Sequence, residues 1–259
     1  MTNKLQSLAD QLRLAQKSVL PVAALSEQNP DLSLAEAYEI QRINIQHRLD
    51  QGETVIGHKI GLTSLAMQAQ LGVNEPDVGV ITNTMVTPDN GHLDVNSLIS
   101  PRVEAEIAFK ISQDVTSVSD VNAIYSSIES VMLAAEVIDS RLKDWKIQLV
   151  DTVADNASCA SVIFGKEIPA TQELLDSLPQ MLVYIETDGQ TVDSGSGSAV
   201  LGNPLLAIEW LAKTLIANGN HLRKGDLVIA GAVHASIPLL AGKHFAVKNS
   251  ELPAVTFTT

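Results

Sequence analysis

The sequence predicts an α+β chain in which a helical N-terminal layer packs beside a large, mainly β body. Three observations carry that expectation. Leu5, Leu8 and Leu12 recur at helical spacing, and Ser33-x-x-Glu36 forms a capping box ahead of a second apolar-periodic stretch. From residue 78 onward, short apolar runs are divided by turn signals such as "DNG" at 89–91 and "TDGQ" at 187–190. Strands and helices do not alternate regularly, which argues against a doubly wound parallel sheet. Residues 1–77 are expected as the helical region and 78–259 as the β body, and the two can equally be counted as one domain.

Taken in order, the first helix carries the Leu5-Leu8-Leu12 stripe. The second starts after Ser33, with Leu32 and Ala37 as a staple, passes through Ile40 and Ile43 towards Leu49, and ends at "DQGE". "VIGHKIGL" reads as a strand interrupted by glycines. "SLAMQAQLG" reads as a short helix with Ser64 as cap and Gly72 as stop. Strands are expected at 102–111, 131–138, 160–164, 181–187, 227–233 and 244–248. A helix is expected around 119–130, and another at 204–217 with Asn203 as cap, Pro204 at its first position and Gly219 beyond its end. No repeat, low-complexity tract or linker is visible.

Bulk properties narrow the function classes. Hydrophobic content of 45% against 18% charged residues suits a soluble globular chain with a real core. A net charge of −13 argues against nucleic acid or an anionic membrane as partner. It still permits a small anionic substrate, because a bound cation reverses the local field. Cys159 is the single cysteine, so no intrachain disulfide forms. The polar, amphipathic N-terminus lacks the apolar core of a signal peptide. The stretch "LVIAGAVHASIPLLAG" holds His234 and Pro238 and falls short of the ~18 residues a membrane span needs. A cytoplasmic protein is the expectation.

The chemistry concentrates in a few places. In "PRVEAEIAFKI", alternation puts Val103, Ala105, Ile107 and Phe109 on one strand face and Arg102, Glu104 and Glu106 on the other. A third acid, Glu136, sits within the apolar run "VMLAAEVIDS", on the face of Met132, Ala134 and Ile138. Three isolated acids on two strands suit a hard dication with oxygen ligands. The blander alternative pairs Glu104 and Glu106 with Arg102 or a lysine on an exposed sheet. Glu136 weighs against it, since buried acids are rare unless paired or metal-bound.

Lys59 in "GHKIGLTS" is either a buried, tunable acid/base or carboxylate anchor, or a snorkelling surface lysine. Asp77 in "NEPDVG" reads as a turn residue, usually structural. "DTVADNASC" brings Asp151, Asp155, Asn156 and Ser158 together, as a substrate-binding loop or an Asx-rich turn. "GSGSAVLGNP" lacks the GxGxxG spacing and a βαβ context, so it is no nucleotide site. A loop whose backbone N–H groups approach a ligand carboxylate stays open there. Cys159, His58 and His234 read as structural residues.

Together, "GHKIGLTS", "EPDVG", "PRVEAEIAF", "AAEVIDSR", "DTVADNASC" and "GSGSAVLGNPLLAIEWLA" resemble the 2-keto-4-pentenoate hydratases (2-hydroxypenta-2,4-dienoate hydratases) of aromatic meta-cleavage pathways. These lie within the fumarylacetoacetase-like superfamily. The resemblance implies a mixed-sheet β-roll of the fumarylacetoacetase C-terminal type and a divalent metal, Mg²⁺ or Mn²⁺, on Glu104, Glu106 and Glu136. It further implies Lys59 and Asp77 as acid/base or substrate-orienting groups, with Leu62, Asn156 and Ser158 lining the substrate site.

The implied activity is hydration of 2-hydroxypenta-2,4-dienoate to 4-hydroxy-2-oxopentanoate. The implied assembly is a homo-oligomer, of pentameric rings or otherwise, with other meta-cleavage enzymes as candidate partners. A sister branch, the 4-oxalocrotonate decarboxylases, shares the glutamates, the lysine and "VADNAS". "DWKIQLVDTVADNASC" has the hydratase form, "GAVHASIPLLAG" sits nearer the decarboxylase form, and "NSELPAVTFTT" matches neither well. Decarboxylation of 4-oxalocrotonate (2-oxo-3-hexenedioate) and hydration of a seven-carbon 2-oxo diacid are therefore the enzymatic alternatives. A Ca²⁺-stabilised, non-catalytic scaffold is the non-enzymatic one.

Overall fold

A computed structural model describes residues 2–64, 68 and 74–259 of the chain. The short helix expected at 64–72 falls mostly outside the described residues. The N-terminal layer consists of α1 (Thr2–Ser18), α2 (Leu25–Gln28) and α3 (Leu34–Asp50). The capping box forms as expected: Ser33 Oγ accepts from the Glu36 N–H, and the Ser33 N–H donates to Glu36 Oε2 at 2.9 Å. Leu32 and Ala37 are buried with Leu5, Leu8, Leu12, Leu25 and Ile40 in one apolar cluster.

The body is built on two sheets. The larger is mixed and runs in the order β2 (Asp77–Thr82), β1 (Val55–Gly61), β10 (Leu227–Ala232), β4 (Arg102–Ile111), β5 (Ile128–Ile138), β6 (Cys159–Phe164). The short β7 (Ile168–Pro169) pairs with β5, and β11 (Ile237–Pro238) pairs with β4. Within it β1 and β10 are parallel and the other main pairs antiparallel. The second sheet runs β3 (Gly91–His92), β13 (Val255–Thr258), β12 (His244–Lys248), β8 (Leu182–Thr187), β9 (Gln190–Ser196). A core led by Phe109, Leu133, Ile185, Phe245 and Phe257 fills the space between the two sheets.

A long helix (Pro204–Ala217) contributes Leu205, Ile208 and Leu211 to that core, so its apolarity serves internal packing. It is capped by Asn203, whose Oδ1 accepts from the Leu205 N–H at 2.9 Å. The larger sheet curls until its edge strands approach each other. Val86 bridges Val162, and the Thr87 N–H donates to the Val162 carbonyl at 3.0 Å. The concave face holds its own apolar plug, including Ile81, Ala108, Met132, Ala134, Val162 and Ile229.

Several expectations need revision. β1 lies inside the large sheet, so the helical layer ends at Asp50 and a division at 77/78 cuts into the β body. "DNG" is a turn, but it leads into β3, which pairs in parallel with β13 and forms no hairpin. "TDGQ" does join antiparallel β8 and β9, with Asp188 and Gly189 both at positive φ, the geometry of a two-residue hairpin turn. The helix around 119–130 shrinks to Val121–Tyr125, because β5 starts at Ile128. "DTVA", expected at the start of a polar loop, belongs to a helix (Leu149–Ala154).

Candidate active site

Antiparallel pairing of β4 and β5 sets Glu104 directly opposite Glu136, with Glu106 opposite Ala134 on the same concave face. Oxygens of the three glutamates lie within 4.8 Å of one another. Glu106 and Glu136 are buried and Glu104 half-buried. Lys59 projects from β1 into the same space. Its ammonium donates to the Ala157 carbonyl at 3.0 Å and stands 3.4 Å from Glu136 Oε2. Asp77, the first residue of β2, is buried beside it, with Thr152 Oγ1 at 3.5 Å from Oδ2. Asp77 is thus a strand residue at the site and no mere turn residue.

The electrostatics follow from burial and like charge. Burial and the neighbouring Glu136 carboxylate push Glu104 up to about 7, against the opposing pull of Lys59 and Arg102. Burial and Glu136 likewise lift Glu106 well above the usual carboxylate range. Burial raises Asp77, with Lys59 opposing and Glu136 reinforcing the rise. For Lys59, burial disfavours the charge, but Glu136, Asp77, Glu104 and Glu106 outweigh it and hold the ammonium protonated. Lys59 is therefore a buried, carboxylate-anchored group; the snorkelling alternative is excluded by its 4% exposure.

A divalent cation fits this donor set. Glu106 Oε1, both Glu136 oxygens and Asp77 Oδ1 are buried without a hydrogen-bond partner. Orphaned carboxylate oxygens are costly unless a cation meets them. Four acids against one lysine leave an excess of three negative charges when all are ionised, and one dication brings that close to balance. Pairing with Arg102 does not occur: its Nε and Nη2 donate to Ser236 Oγ at 2.7 Å and the Ser236 carbonyl at 2.5 Å.

The remaining expected site residues separate into two groups. Ser158, next to the Ala157 carbonyl that holds Lys59, has its Oγ buried and unpartnered. Leu62 follows β1 at positive φ, its carbonyl accepting from Gln68 Nε2 at 2.7 Å. Asn156 differs: both ends of its amide are hydrogen-bonded to the Val80 backbone, which ties it to β2. Asp151 and Asp155 are structural. Asp151 accepts from the Ser26 N–H and hydroxyl, and Asp155 holds the Arg141 guanidinium and N–H.

His234 ties the backbone together, its Nε2 accepting from the Ala105 N–H at 3.3 Å. Burial raises the Cys159 thiol well above its ordinary value, leaving it inert. Two backbone groups at the site carry no readable sequence signal. They are the Ala157 carbonyl on Lys59 and the Gly231 N–H, which donates to Glu106 Oε2 at 2.7 Å from a bulge with φ +115°. A cavity of about 500 Å³ opens between α1, α3 and the segment from Ala154 to Cys159, and none of the three glutamates lines it. Its Arg13 and Arg48 are already paired with Asp10 and Glu53.

Residues 58–258, which include Lys59, Asp77 and the three glutamates, match the family model described as fumarylacetoacetate (FAA) hydrolase C-terminal. The chain belongs to that family. Among relatives in sequence, the 2-keto-4-pentenoate hydratase of Burkholderia vietnamiensis (strain G4 / LMG 22486) is 39% identical over 259 residues, covering 99% of this chain and 98% of the relative. Among solved FAA hydrolase-type structures, the 4-oxalocrotonate decarboxylase of Pseudomonas putida G7 complexed with magnesium and adipate superposes with a TM-score of 0.94. It is 31% identical, with 100% of this chain and 98% of that one covered. The same enzyme with calcium and acetate gives 0.93 at 30% identity, with the same coverage.

Proposed function

We propose that this protein is a hydro-lyase that uses Mg²⁺ or Mn²⁺ to hydrate 2-hydroxypenta-2,4-dienoate (2-oxopent-4-enoate) to 4-hydroxy-2-oxopentanoate. The observation that carries the reading is a cluster of three glutamates beside buried Lys59 and Asp77, in which Glu106 Oε1, both Glu136 oxygens and Asp77 Oδ1 lack a hydrogen-bond partner. Similarity to a named 2-keto-4-pentenoate hydratase over nearly the whole of both chains supports the substrate class.

Glu104, Glu106 and Glu136 would hold the ion. When bound, it supplies Lewis-acid polarisation at the substrate's 2-oxygen and offsets the charge of its carboxylate. The Lys59 ammonium, fixed by Ala157 and Glu136, offers a second positive charge to the anionic head of the substrate. Asp77 has one unpartnered oxygen and a raised proton affinity, and so is the proton carrier.

Ketonisation moves one proton from the 2-hydroxyl to C5, giving 2-oxopent-3-enoate. Water then adds across C3 and C4, its hydroxyl to C4 and its proton to C3. Asp77 accepts and returns a proton in each stage, so the net change is one water. The enclosed plug behind the carboxylates limits other water from reaching the site.

Decarboxylation of a vinylogous 2-oxo diacid is the second reading, favoured by the fold similarity to the P. putida decarboxylase. Purified protein with Mg²⁺ should bleach the conjugated absorbance of the five-carbon dienoate and yield 4-hydroxy-2-oxopentanoate. Release of CO₂ from 4-oxalocrotonate, with the five-carbon dienoate left unchanged, would establish the decarboxylase instead.

A further inference from the structure

β2 is an edge strand of the larger sheet, yet the backbone of Val80 at its middle is fully engaged by a side chain. Asn156 Oδ1 accepts from the Val80 N–H at 2.8 Å, and Asn156 Nδ2 donates to the Val80 carbonyl at 2.9 Å. The amide thus replaces a neighbouring strand residue and closes the seam between the two edges of the curl.

Asn156 also begins an uncommon backbone segment. Asn156, Ala157 and Ser158 have φ of 55°, 50° and 57°, three consecutive non-glycine residues in the left-handed region. Each is disfavoured by crowding of its Cβ against the following carbonyl oxygen, and such residues normally occur singly. Contacts on both sides hold the segment in place. Val80 grips Asn156, the Asp139 N–H donates to the Ser158 carbonyl at 2.8 Å, and Arg141 clamps Asp155 next door. The result is that the Ala157 carbonyl points at the Lys59 ammonium, its one hydrogen-bond acceptor among the described residues. Gly79 completes the fit. A Cβ there would lie 2.8 Å from the Asn156 carbonyl and 2.6 Å from Lys59 Cγ, so the turn and the lysine stem pack against the same bare glycine.

We infer that Asn156 is a positioning residue: by latching the left-handed turn 156–158 to Val80, it sets the Ala157 carbonyl on Lys59 and fixes the ammonium among the carboxylates. This rests on the reading of Lys59 as a site residue and gives Asn156 a role distinct from substrate contact. Strain stored in a turn and released only when its latch is cut is the pattern expected at a functional site.

The test compares Asn156→Ala with Ser33→Ala, a remote control that also removes a side-chain cap on the backbone. Acetic anhydride labelling of Lys59, read by mass spectrometry, should accelerate at least about tenfold in Asn156→Ala, alongside faster hydrogen exchange at the Val80 amide. Neither should change in Ser33→Ala. The kcat of Asn156→Ala should fall about 10- to 100-fold, the usual range for an outer positioning group, with KM and Mn²⁺ affinity within about threefold of the parent. Should Asn156→Ala not fold, Asn156→Asp keeps the acceptor for the Val80 N–H, loses the donor, and should expose Lys59 in the same direction.

Lys59 as well protected in the Asn156 variants as in the parent would overturn the inference. So would equal exposure in Ser33→Ala, or a rise in KM with kcat preserved, which would mark a substrate contact. If the parent turns over no dienoate, the functional reading fails on its own. Labelling and exchange, which need no substrate, still decide the role of Asn156.

Discussion

Metal-free protein should lose stability as pH rises through neutrality, and a divalent cation should remove that loss. Glu104 moves from an ordinary 4.5 to about 7 in the fold, because burial and Glu136 disfavour its charge. A carboxyl raised in the folded state stabilises the fold fully below its unfolded value. That contribution is lost as pH climbs through the folded value, where the native state must ionise a buried acid. The gap from 4.5 to about 7 corresponds to about 3 kcal/mol at roughly 1.36 kcal/mol per pH unit. Solvent at the half-buried edge screens part of this, leaving about 2–3 kcal/mol. For a chain of this length that is a fall in Tm of about 5–10 °C between about pH 5 and about pH 8. The assay is thermal melting across that window for the parent with chelator, the parent with Mn²⁺, and Glu104→Gln with chelator. Glu104→Gln should melt with a flatter pH dependence than the parent, and the Mn²⁺ gain should grow with pH. A metal-free parent whose stability matches Glu104→Gln at every pH, or no Mn²⁺ gain at the alkaline end, would refute the reasoning.

Three further outcomes follow from the same geometry. Lys59→Met keeps the apolar stem and deletes the ammonium, so Mn²⁺ affinity should survive while turnover falls about a hundredfold or more. Normal turnover would remove Lys59 from the site. Gly61→Ala would place a Cβ 2.1 Å from Asp77 Oδ1 and 3.2 Å from Lys59 Nζ. Displacing Asp77 should lower kcat by about 10- to 100-fold, and steady-state kinetics on folded protein checks it. Chelator treatment should abolish turnover and Mg²⁺ or Mn²⁺ restore it, with Glu106→Gln resistant to rescue; full activity in stringently metal-free protein would contradict this.

How far the sequence reached can be traced through particular residues. The "EAE" pair and Glu136 were legible because strand alternation puts them on one face and an acid in an apolar run needs a partner. The capping box at Ser33 and Asn203-Pro204 are legible because their signals are local and chemical. β2 was missed since "EPDVG" carries turn residues, and only pairing with β1 makes Asp77–Thr82 a strand. "DTVADNASC" reads as a polar loop because its acids look solvent-seeking, although Asp151–Ala154 closes a helix. In the fold, Asp151 and Asp155 are instead buried against Ser26 and Arg141, more than a hundred and about a dozen residues away in sequence. β9, "QTVDSGS", is a polar edge strand held by its hairpin to β8, with no apolar alternation to reveal it. The Ala157 carbonyl and the Asn156 latch lie beyond sequence reading, because nothing in "DNAS" announces three left-handed residues.

The central claim is that Glu104, Glu106 and Glu136 form a single divalent-cation centre beside Lys59. Anomalous diffraction from a crystal soaked in Mn²⁺ tests it most directly. The expected result is one strong peak among the three carboxylates, with oxygens at about 2.0–2.6 Å, and loss of that peak in Glu136→Gln. A peak elsewhere, or none with the three glutamates ordered as described, would contradict the account.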